Sequence, residues 1–311
     1  MHFKNRNFLS LQDYKKQEIR VILDKAHEFK KNKNKGIKIK KSLEGKNLCM
    51  IFQKPSTRTI VSFDIAIKEL GGNTTILTSS DMQLGRGETV YDTGKTLARY
   101  CDAIMARVYD HNDLIDLAKG AANISIINGL SDLLHPCQIT ADLMTIEEKK
   151  KKLEGLKIAY IGDGNNVANS LLIGCGKMGL NISMACPKGY EPKETMVMIA
   201  KHYARKSGNK IEILTSPEEA VKDADIIYTD TWISMGQEKE KNKRIEIFSP
   251  FQVNERLLEH AKSDYIVLHC LPAHRGYEIT NNVMDGRHSA IFDQAENRLH
   301  SQKAILDLLL G

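Results

Sequence analysis

Phe52-Gln53-Lys54-Pro55-Ser56-Thr57-Arg58-Thr59 is the stretch whose reading decides the fold. The apolar run 48–52 precedes it and reads as a buried parallel strand. A helical pattern follows, with Ile60, Phe63, Ile67 and Leu70 on one face and Gly71-Gly72 as its stop. Pro55 and Ser56 therefore stand where a strand ends and a helix begins. Free backbone N–H groups and the positive end of the helix dipole make that point receptive to an anion. The dipole contributes about 1 kcal/mol, whereas each charge-assisted bond from Arg58 adds roughly 1.5–3 kcal/mol, so the arginine decides affinity. A plain N-cap is the simpler reading, since Ser and Thr are common at helix starts. Ser-Thr-Arg-Thr is denser in donors than a cap requires, and the stretch is read as a phosphate site.

Outward from this turn, strands and helices alternate. An amphipathic helix over 14–29, with Asp13 as its N-cap, comes first, and a lysine-rich loop over 30–41 leads to the strand. Strands at 74–77, 103–108 and 124–127 alternate with helices at 89–100 and 113–118. A long helix over 135–153 ends in charged residues and reads as a bridge between domains. Beyond it come strands at 156–161, 181–185, 210–214, 225–229 and 265–268. Helices at 166–177, 192–204 and from Pro217 separate them, and a last helix covers 294–309. The alternation predicts an α/β chain of two doubly wound parallel-sheet domains joined by long interdomain helices. Such sheets bind ligands beyond the carboxyl ends of their strands, and the polar motifs of this chain fall there.

The chain has 311 residues, enough for two cores, with 41% hydrophobic and 27% charged residues. No apolar run approaches the ~20 residues of a membrane span. Met1 to Ser10 lacks an apolar core and is no secretory signal. The net charge of +6 is mild, and the lysine run that supplies much of it has no interleaved aromatics, so a solvated segment fits better than a nucleic-acid tail. Six cysteines show neither a CxxC pair nor finger spacing, which predicts reduced thiols in a cytoplasmic-type compartment.

Several motifs carry chemistry. Arg107 closes an apolar strand, where an unpaired charge is expensive to bury, so a ligand-binding role outweighs packing. His135 and Gln138, at i and i+3, share one face at the start of the bridging helix; an imidazole and a carboxamide there could polarise a carbonyl and hold an amide. A metal at His135 and Cys137 lacks further ligands. Gly174-Cys175-Gly176-Lys177-Met178-Gly179 matches a dinucleotide fingerprint in letters, but it lies within a helix instead of directly after a strand. The turn that follows the strand is Gly162-Asp163-Gly164-Asn165-Asn166-Val167, with Val in place of the third glycine. Asp230, at a strand end, is available to an ammonium group. The Cys/His mixture of His269-Cys270-Leu271-Pro272 lacks the partners of a thiol nucleophile or a zinc site at obvious spacing. The polar loop 81–88 reads on its own as an ordinary connection.

Lys54-Pro55-Ser56-Thr57-Arg58-Thr59 resembles the carbamoyl-phosphate signature of the aspartate and ornithine carbamoyltransferase family, and the resemblance runs from about Phe8 to Arg298. The run Thr229-Asp230-Thr231-Trp232-Ile233-Ser234-Met235-Gly236-Gln237-Glu238 is similar to the mobile substrate loop of the ornithine branch. The resemblance implies a carbamoyl-phosphate domain over 1–138, joined by the C-terminal helix 294–311, and an ornithine domain over 139–293. It implies that Ser56, Thr57, Arg58, Thr59, Arg107, His135, Gln138 and Arg298 bind carbamoyl phosphate, with Cys270 and Leu271 beside them. Gln83 joins this set from a neighbouring subunit, which implies a homotrimer with shared sites. Asn166, Asp230, Ser234 and Met235 fall to ornithine, bordered by Leu130, whose carbonyl orients the carbamoyl amide. Arg107, His135, Asp230 and Cys270 stand as the catalytic group, and no metal or organic cofactor is implied.

Two positions depart from the family pattern: Gln53 and Ile60 stand where a glutamate and an arginine are frequent, which predicts altered local ion pairing. The activity implied is transfer of a carbamoyl group from carbamoyl phosphate to the side-chain amine of L-ornithine. A carbamoyltransferase for putrescine is the near alternative, disfavoured because Asp230 and Asn166 suit the charged ends of an amino acid. A nicotinamide oxidoreductase is opposed by the misplaced glycines, and a non-catalytic relative by the intact motifs.

Overall fold

The computed structural model describes residues 2–82, 87–233 and 237–311. The chain divides into two compact units, Met1–Ala141 with Asn297–Gly311, and Asp142–Glu296.

The first unit is built on strands β1 (Asn47–Phe52), β2 (Asn73–Thr78), β3 (Ala103–Arg107) and β4 (Ser125–Leu130). They form a sheet in the order β2-β1-β3-β4, with every neighbour parallel. From the second residue onward β1 is buried throughout, as near-continuous apolar runs in a parallel sheet with covered faces should be. β2, at the edge, is largely exposed and rich in threonine. Helices α1 (Lys16–Asn34), α2 (Thr57–Glu69), α3 (Val90–Leu97) and α4 (His111–Gly120) accompany the strands. Ile19, Ile22, Leu23 and Ala26 form the buried face of α1.

The start of α1 differs from expectation. Asp13 ends a short 3-10 turn, and the helix begins at Lys16, where the Glu18 carboxylate accepts the Lys15 N–H at 2.7 Å. A side chain that reaches back one turn replaces the expected aspartate cap. The helix also continues into the lysine run as far as Asn34, because lysine is a good helix former and Phe29 still buries its ring.

The second unit holds β5 (Lys157–Ile161), β6 (Asn181–Ala185), β7 (Ile211–Leu214), β8 (Ile226–Thr229) and β9 (Ile266–His269). The sheet runs β7-β6-β5-β8-β9 and is again parallel throughout. Helices α6 (Asn166–Met178), α7 (Glu194–Ser207) and α8 (Pro217–Val221) fall where the alternation placed them. Three further short helices are not legible in the periodicity: α9 (Lys241–Phe248), α10 (Glu255–Leu258) and α11 (Asn281–Met284). The division between the units falls within α5 (Pro136–Lys150) and α12 (Ile291–Leu310). Strand order reverses at β1/β3 in one unit and at β5/β8 in the other, which are the switch points where doubly wound sheets hold ligands.

The glycine fingerprint resolves as packing. A Cβ on Gly176 would lie 2.6 Å from the Ala200 carbonyl of α7, so this glycine permits two helices to approach. Gly179, at φ 79°, is the left-handed cap that ends α6. Among the described residues, no helix is long and apolar enough to cross a membrane.

Candidate active site

In the first unit, Ser56 occupies the N-cap of α2 in extended conformation, yet its hydroxyl makes no capping bond. It donates instead to Thr59 Oγ1 at 3.0 Å. Thr59 is fully buried, and its Oγ1 also accepts from Arg298 Nη2 at 3.0 Å. Arg298 comes from α12 and Ser56 to Thr59 from the exit of β1, so residues 239 positions apart meet at one helix terminus. Thr57 is exposed and Arg58 half-buried at the same turn.

Arg107 ends β3 at the neighbouring strand position. Phe52 and Arg107 are paired in register, and a bulge shifts Arg107 onto Leu130 of β4. The Leu130 carbonyl accepts the Val108 N–H at 3.0 Å, which leaves its second lone pair for another donor. Beyond β4, the loop 131–134 is fastened by one of its own hydroxyls and by an amide from the strand. Ser131 Oγ accepts from Leu134 N at 3.1 Å, and Asn128 Nδ2 donates to the Leu134 carbonyl at 3.3 Å.

This fastening sets His135 at the head of α5. Pro136 follows at the first helical position, where its missing N–H costs nothing. His135 and Gln138 are both buried. Burial first, then the positive charges of Arg298 and Arg107, hold the imidazole well below its ordinary pKa. His135 is therefore neutral at physiological pH. Cys137 is buried, donates to the Asn128 carbonyl at 3.3 Å, and has its thiol pushed up to about 12 by burial. A protonated thiol facing a carbonyl is not a metal ligand.

Gln53, flagged as a departure, is well partnered. Its Nε2 donates to Asp113 Oδ2 at 2.8 Å and its Oε1 accepts from Tyr109 N at 2.7 Å. Gln83 lies outside the described residues.

In the second unit, Asp230 follows β8 and is buried. One oxygen accepts from Asn165 Nδ2 at 2.8 Å, and the other accepts the Cys270 thiol at 2.9 Å. Each carboxylate oxygen keeps capacity for a further donor such as an ammonium group. Asn165 also caps α6, accepting from Val167 N and Ala168 N, so the cap and the carboxylate share one side chain. Asn166 is the first residue of α6 and half-buried. Thr229 Oγ1 donates to the Ile161 carbonyl at 2.8 Å and ties the ends of β8 and β5 together.

Cys270 and Leu271 leave β9 in a fixed turn. Leu271 has φ 60° and is followed by a cis bond to Pro272. His269 Nδ1 accepts the Leu271 N–H at 2.9 Å, which assigns the proton to Nε2, 3.2 Å from Glu278 Oε1. Asp230, His269 and Cys270 bring their ligand atoms within 4.8 Å of one another. Both His269 nitrogens are already engaged, however, so the imidazole has no lone pair free for a metal.

Sequence reading did not find Arg244. Its guanidinium is buried on α9, where Nε donates to the Trp232 carbonyl at 2.6 Å and Nη2 pairs with Asp163 Oδ2 at 2.6 Å. The rings of Tyr190 and Phe248 lie 4.9 and 5.1 Å from it. It joins the turn before α6 to the segment after Asp230. Its position in the run Glu238-Lys239-Glu240-Lys241-Asn242-Lys243-Arg244 reads as a solvated charge cluster, and only the following Ile245 and Phe248 hint otherwise. Ser234 and Met235 lie outside the described residues.

Comparison with known proteins gives a consistent result. The profile described as "Aspartate/ornithine carbamoyltransferase, carbamoyl-P binding domain" matches residues 6–148, and its companion "Asp/Orn binding domain" matches 154–309. A Pyrococcus abyssi protein described as "Ornithine carbamoyltransferase" is 56% identical over 308 residues, covering 99% of this chain and 96% of its own. The solved ornithine carbamoyltransferase of Pyrococcus furiosus superposes with a TM-score of 0.97 at 55% identity, covering 100% of this chain and 99% of that one. The anabolic ornithine carbamoyltransferase of Campylobacter jejuni gives a TM-score of 0.90 at 42% identity, with 97% of both chains covered.

Proposed function

The chain belongs to the aspartate/ornithine carbamoyltransferase family, and from that premise we propose that it transfers the carbamoyl group of carbamoyl phosphate to the side-chain amine of L-ornithine. The products are L-citrulline and phosphate. The observation that carries this reading is the pair of half-sites at the two switch points: a hydroxyl–arginine cluster in the first unit and a buried carboxylate with a thiol in the second.

Carbamoyl phosphate binds the first unit. Ser56, Thr57, Arg58 and Thr59 hold the phosphate, with Arg298 behind Thr59. The uncapped Ser56 hydroxyl supports this, because a helix start that withholds its own cap leaves its N–H groups to a ligand. Arg107 and His135 stabilise the charge that develops on the carbamoyl oxygen. A neutral imidazole donates a hydrogen bond there without a proton transfer. Gln138 and the Leu130 carbonyl orient the carbamoyl amide. Gln83 completes this set from a neighbouring subunit of a homotrimer, and a cyclic threefold arrangement repeats that contact until the ring closes.

Ornithine binds the second unit. Asp230 pairs with the α-ammonium group, Asn166 takes the carboxylate, and Ser234 and Met235 complete the site. Cys270 and Leu271 border the carbamoyl group and the reacting amine. Transfer forms the new N–C bond as a tetrahedral oxyanion. The C–O bond to phosphate then breaks, and the amine gives up a proton. The free amine, with an ordinary pKa of ~10.4, is neutral in about one molecule per thousand near pH 7.4, a deficit of roughly 4 kcal/mol that the site recovers by binding the neutral form. The protein acts in the cytoplasm, in the anabolic direction named for its Campylobacter relative.

The test is citrulline formation from carbamoyl phosphate with ornithine, putrescine and aspartate supplied in parallel. Activity with ornithine is expected. Turnover of putrescine in place of ornithine would move the reading to the near alternative, and no turnover of any amine would end it.

A further inference from the structure

Gln53 is joined to three other parts of the first unit. Its backbone N–H donates to the Arg107 carbonyl at 2.9 Å, and its backbone carbonyl accepts from Ser79 Oγ at 3.3 Å. Its side chain holds Tyr109 N and Asp113 Oδ2. The exit of β1 is thus bound to the residue after β2, to both sides of Arg107's strand end, and to the first turn of α4. Two of these four bonds fall on Arg107 and the second residue after it, a third holds the helix that follows, and Gln53 itself stands three residues before Ser56. The residue therefore sets the spacing between the arginine of β3 and the hydroxyl turn of β1.

The amide is chemically specific here. Asp113 Oδ2 requires a donor, and Tyr109 N requires an acceptor. A carboxamide satisfies both at once. A glutamate would still accept from Tyr109, but it would set a carboxylate against Asp113, with Asp110 at the head of the same helix. The family's frequent glutamate at this position thus does not fit the local charge of this chain. We propose that Gln53 is a positioning residue for carbamoyl-phosphate binding, matched to Asp113, that fixes Arg107 relative to the Ser56–Thr59 turn. The inference rests on the assignment of those residues to carbamoyl phosphate.

The test measures binding of radiolabelled carbamoyl phosphate by rapid equilibrium dialysis, together with KM for each substrate. In Gln53→Glu, affinity for carbamoyl phosphate is expected to fall roughly 10–100-fold, the loss typical of a misplaced binding group. KM for ornithine should change little. In the double variant Gln53→Glu with Asp113→Asn, the donor and acceptor are exchanged across the same contact, and affinity should return to within about threefold of the parent. Gln53→Met removes both side-chain bonds without adding charge and serves if the glutamate variant does not fold; the same selective loss is expected. Undiminished carbamoyl-phosphate binding in a folded Gln53 variant overturns the proposal. So does a folded double variant that shows no recovery, or an equal rise in both KM values. A parent protein that does not bind carbamoyl phosphate at all refutes the functional reading instead.

Discussion

Replacing Arg244 with alanine removes the cation that offsets the burial of the Asp163 carboxylate. The two side chains are 3% and 8% exposed, with N and O atoms 2.6 Å apart. Breaking a buried pair by deleting one partner costs about 3–5 kcal/mol, because the remaining charge stays out of water. At about 2–4 °C per kcal/mol for a unit of this size, Tm should fall by roughly 6–20 °C. The loss should also depend on pH. Burial already pushes the Asp163 carboxyl up to about 6, with Arg244 pulling it down and Asp230 and Glu240 pushing it further up. A raised carboxyl pKa means that the folded state holds a proton that the unfolded state has released. Stability therefore declines as pH rises from the unfolded value toward the folded one. Without Arg244 that folded value climbs above 6, so the variant's deficit should be larger at pH 8 than at pH 6. Adding Asp163→Asn should recover much of it. The chain has a single tryptophan, Trp232, whose carbonyl Arg244 holds, so melts followed by tryptophan fluorescence report on the same spot. A deficit under about 1 kcal/mol, or one that is equal at both pH values and unaffected by Asp163→Asn, would refute the argument.

Other outcomes follow from the proposed roles. Arg58→Lys should lose roughly 10–100-fold in kcat/KM for carbamoyl phosphate, because an ammonium cannot reproduce the planar fork; near-normal kinetics would remove Arg58 from the phosphate site. Carbamoyl-phosphate affinity should show no His135-dependent inflection near the ordinary imidazole value of about 6.5, since burial and the charges of Arg298 and Arg107 hold its pKa well below that. The same depressed imidazole favours unfolding as pH falls below about 6.5, where the unfolded state takes up the proton; a His135-dependent break in affinity near 6.5 would count against a neutral ring. Cys270→Ala should lose about tenfold in kcat/KM for ornithine while Cys270→Ser, which keeps a donor to Asp230, loses less; equal losses would deny that hydrogen bond a role. Mixing inactive Arg58→Ala and Gln83→Ala chains under proven subunit exchange should restore partial activity, and no restoration would end the shared-site proposal.

The strands were legible because parallel sheets with covered faces demand unbroken apolar runs, as in Leu48 to Phe52 and Ile226 to Tyr228. The helices between them were legible from their period and stops. α10 and α11, of four residues each, carry too few turns to show a period, and their caps, Asn254 and Thr280, resemble any loop residue. The candidate site was read through motifs adjoining strand ends. What stayed hidden was the support around it. Asn165 reads as the mere neighbour of the asparagine assigned to the substrate, yet its amide donates to Asp230. Glu278 and Gln53 act through contacts that sequence spacing does not encode. A buried charge is invisible in a sequence until the fold supplies the partner that makes its burial tolerable.

Because the first unit takes residues from both ends of the chain, its history on the ribosome is unusual. A nascent chain that has reached Glu296 already contains every residue of the second unit, but none of Asn297–Gly311. Synthesis at about 5–20 residues per second usually lets N-terminal domains fold first. Here the N-terminal segment must wait, its sheet lacking the helix that delivers Arg298 to Thr59. The bond between Arg298 and Thr59 can thus form only after all of the second unit has been made. A chain that stopped before Asn297 would carry every residue of the second unit and lack the guanidinium that meets Thr59.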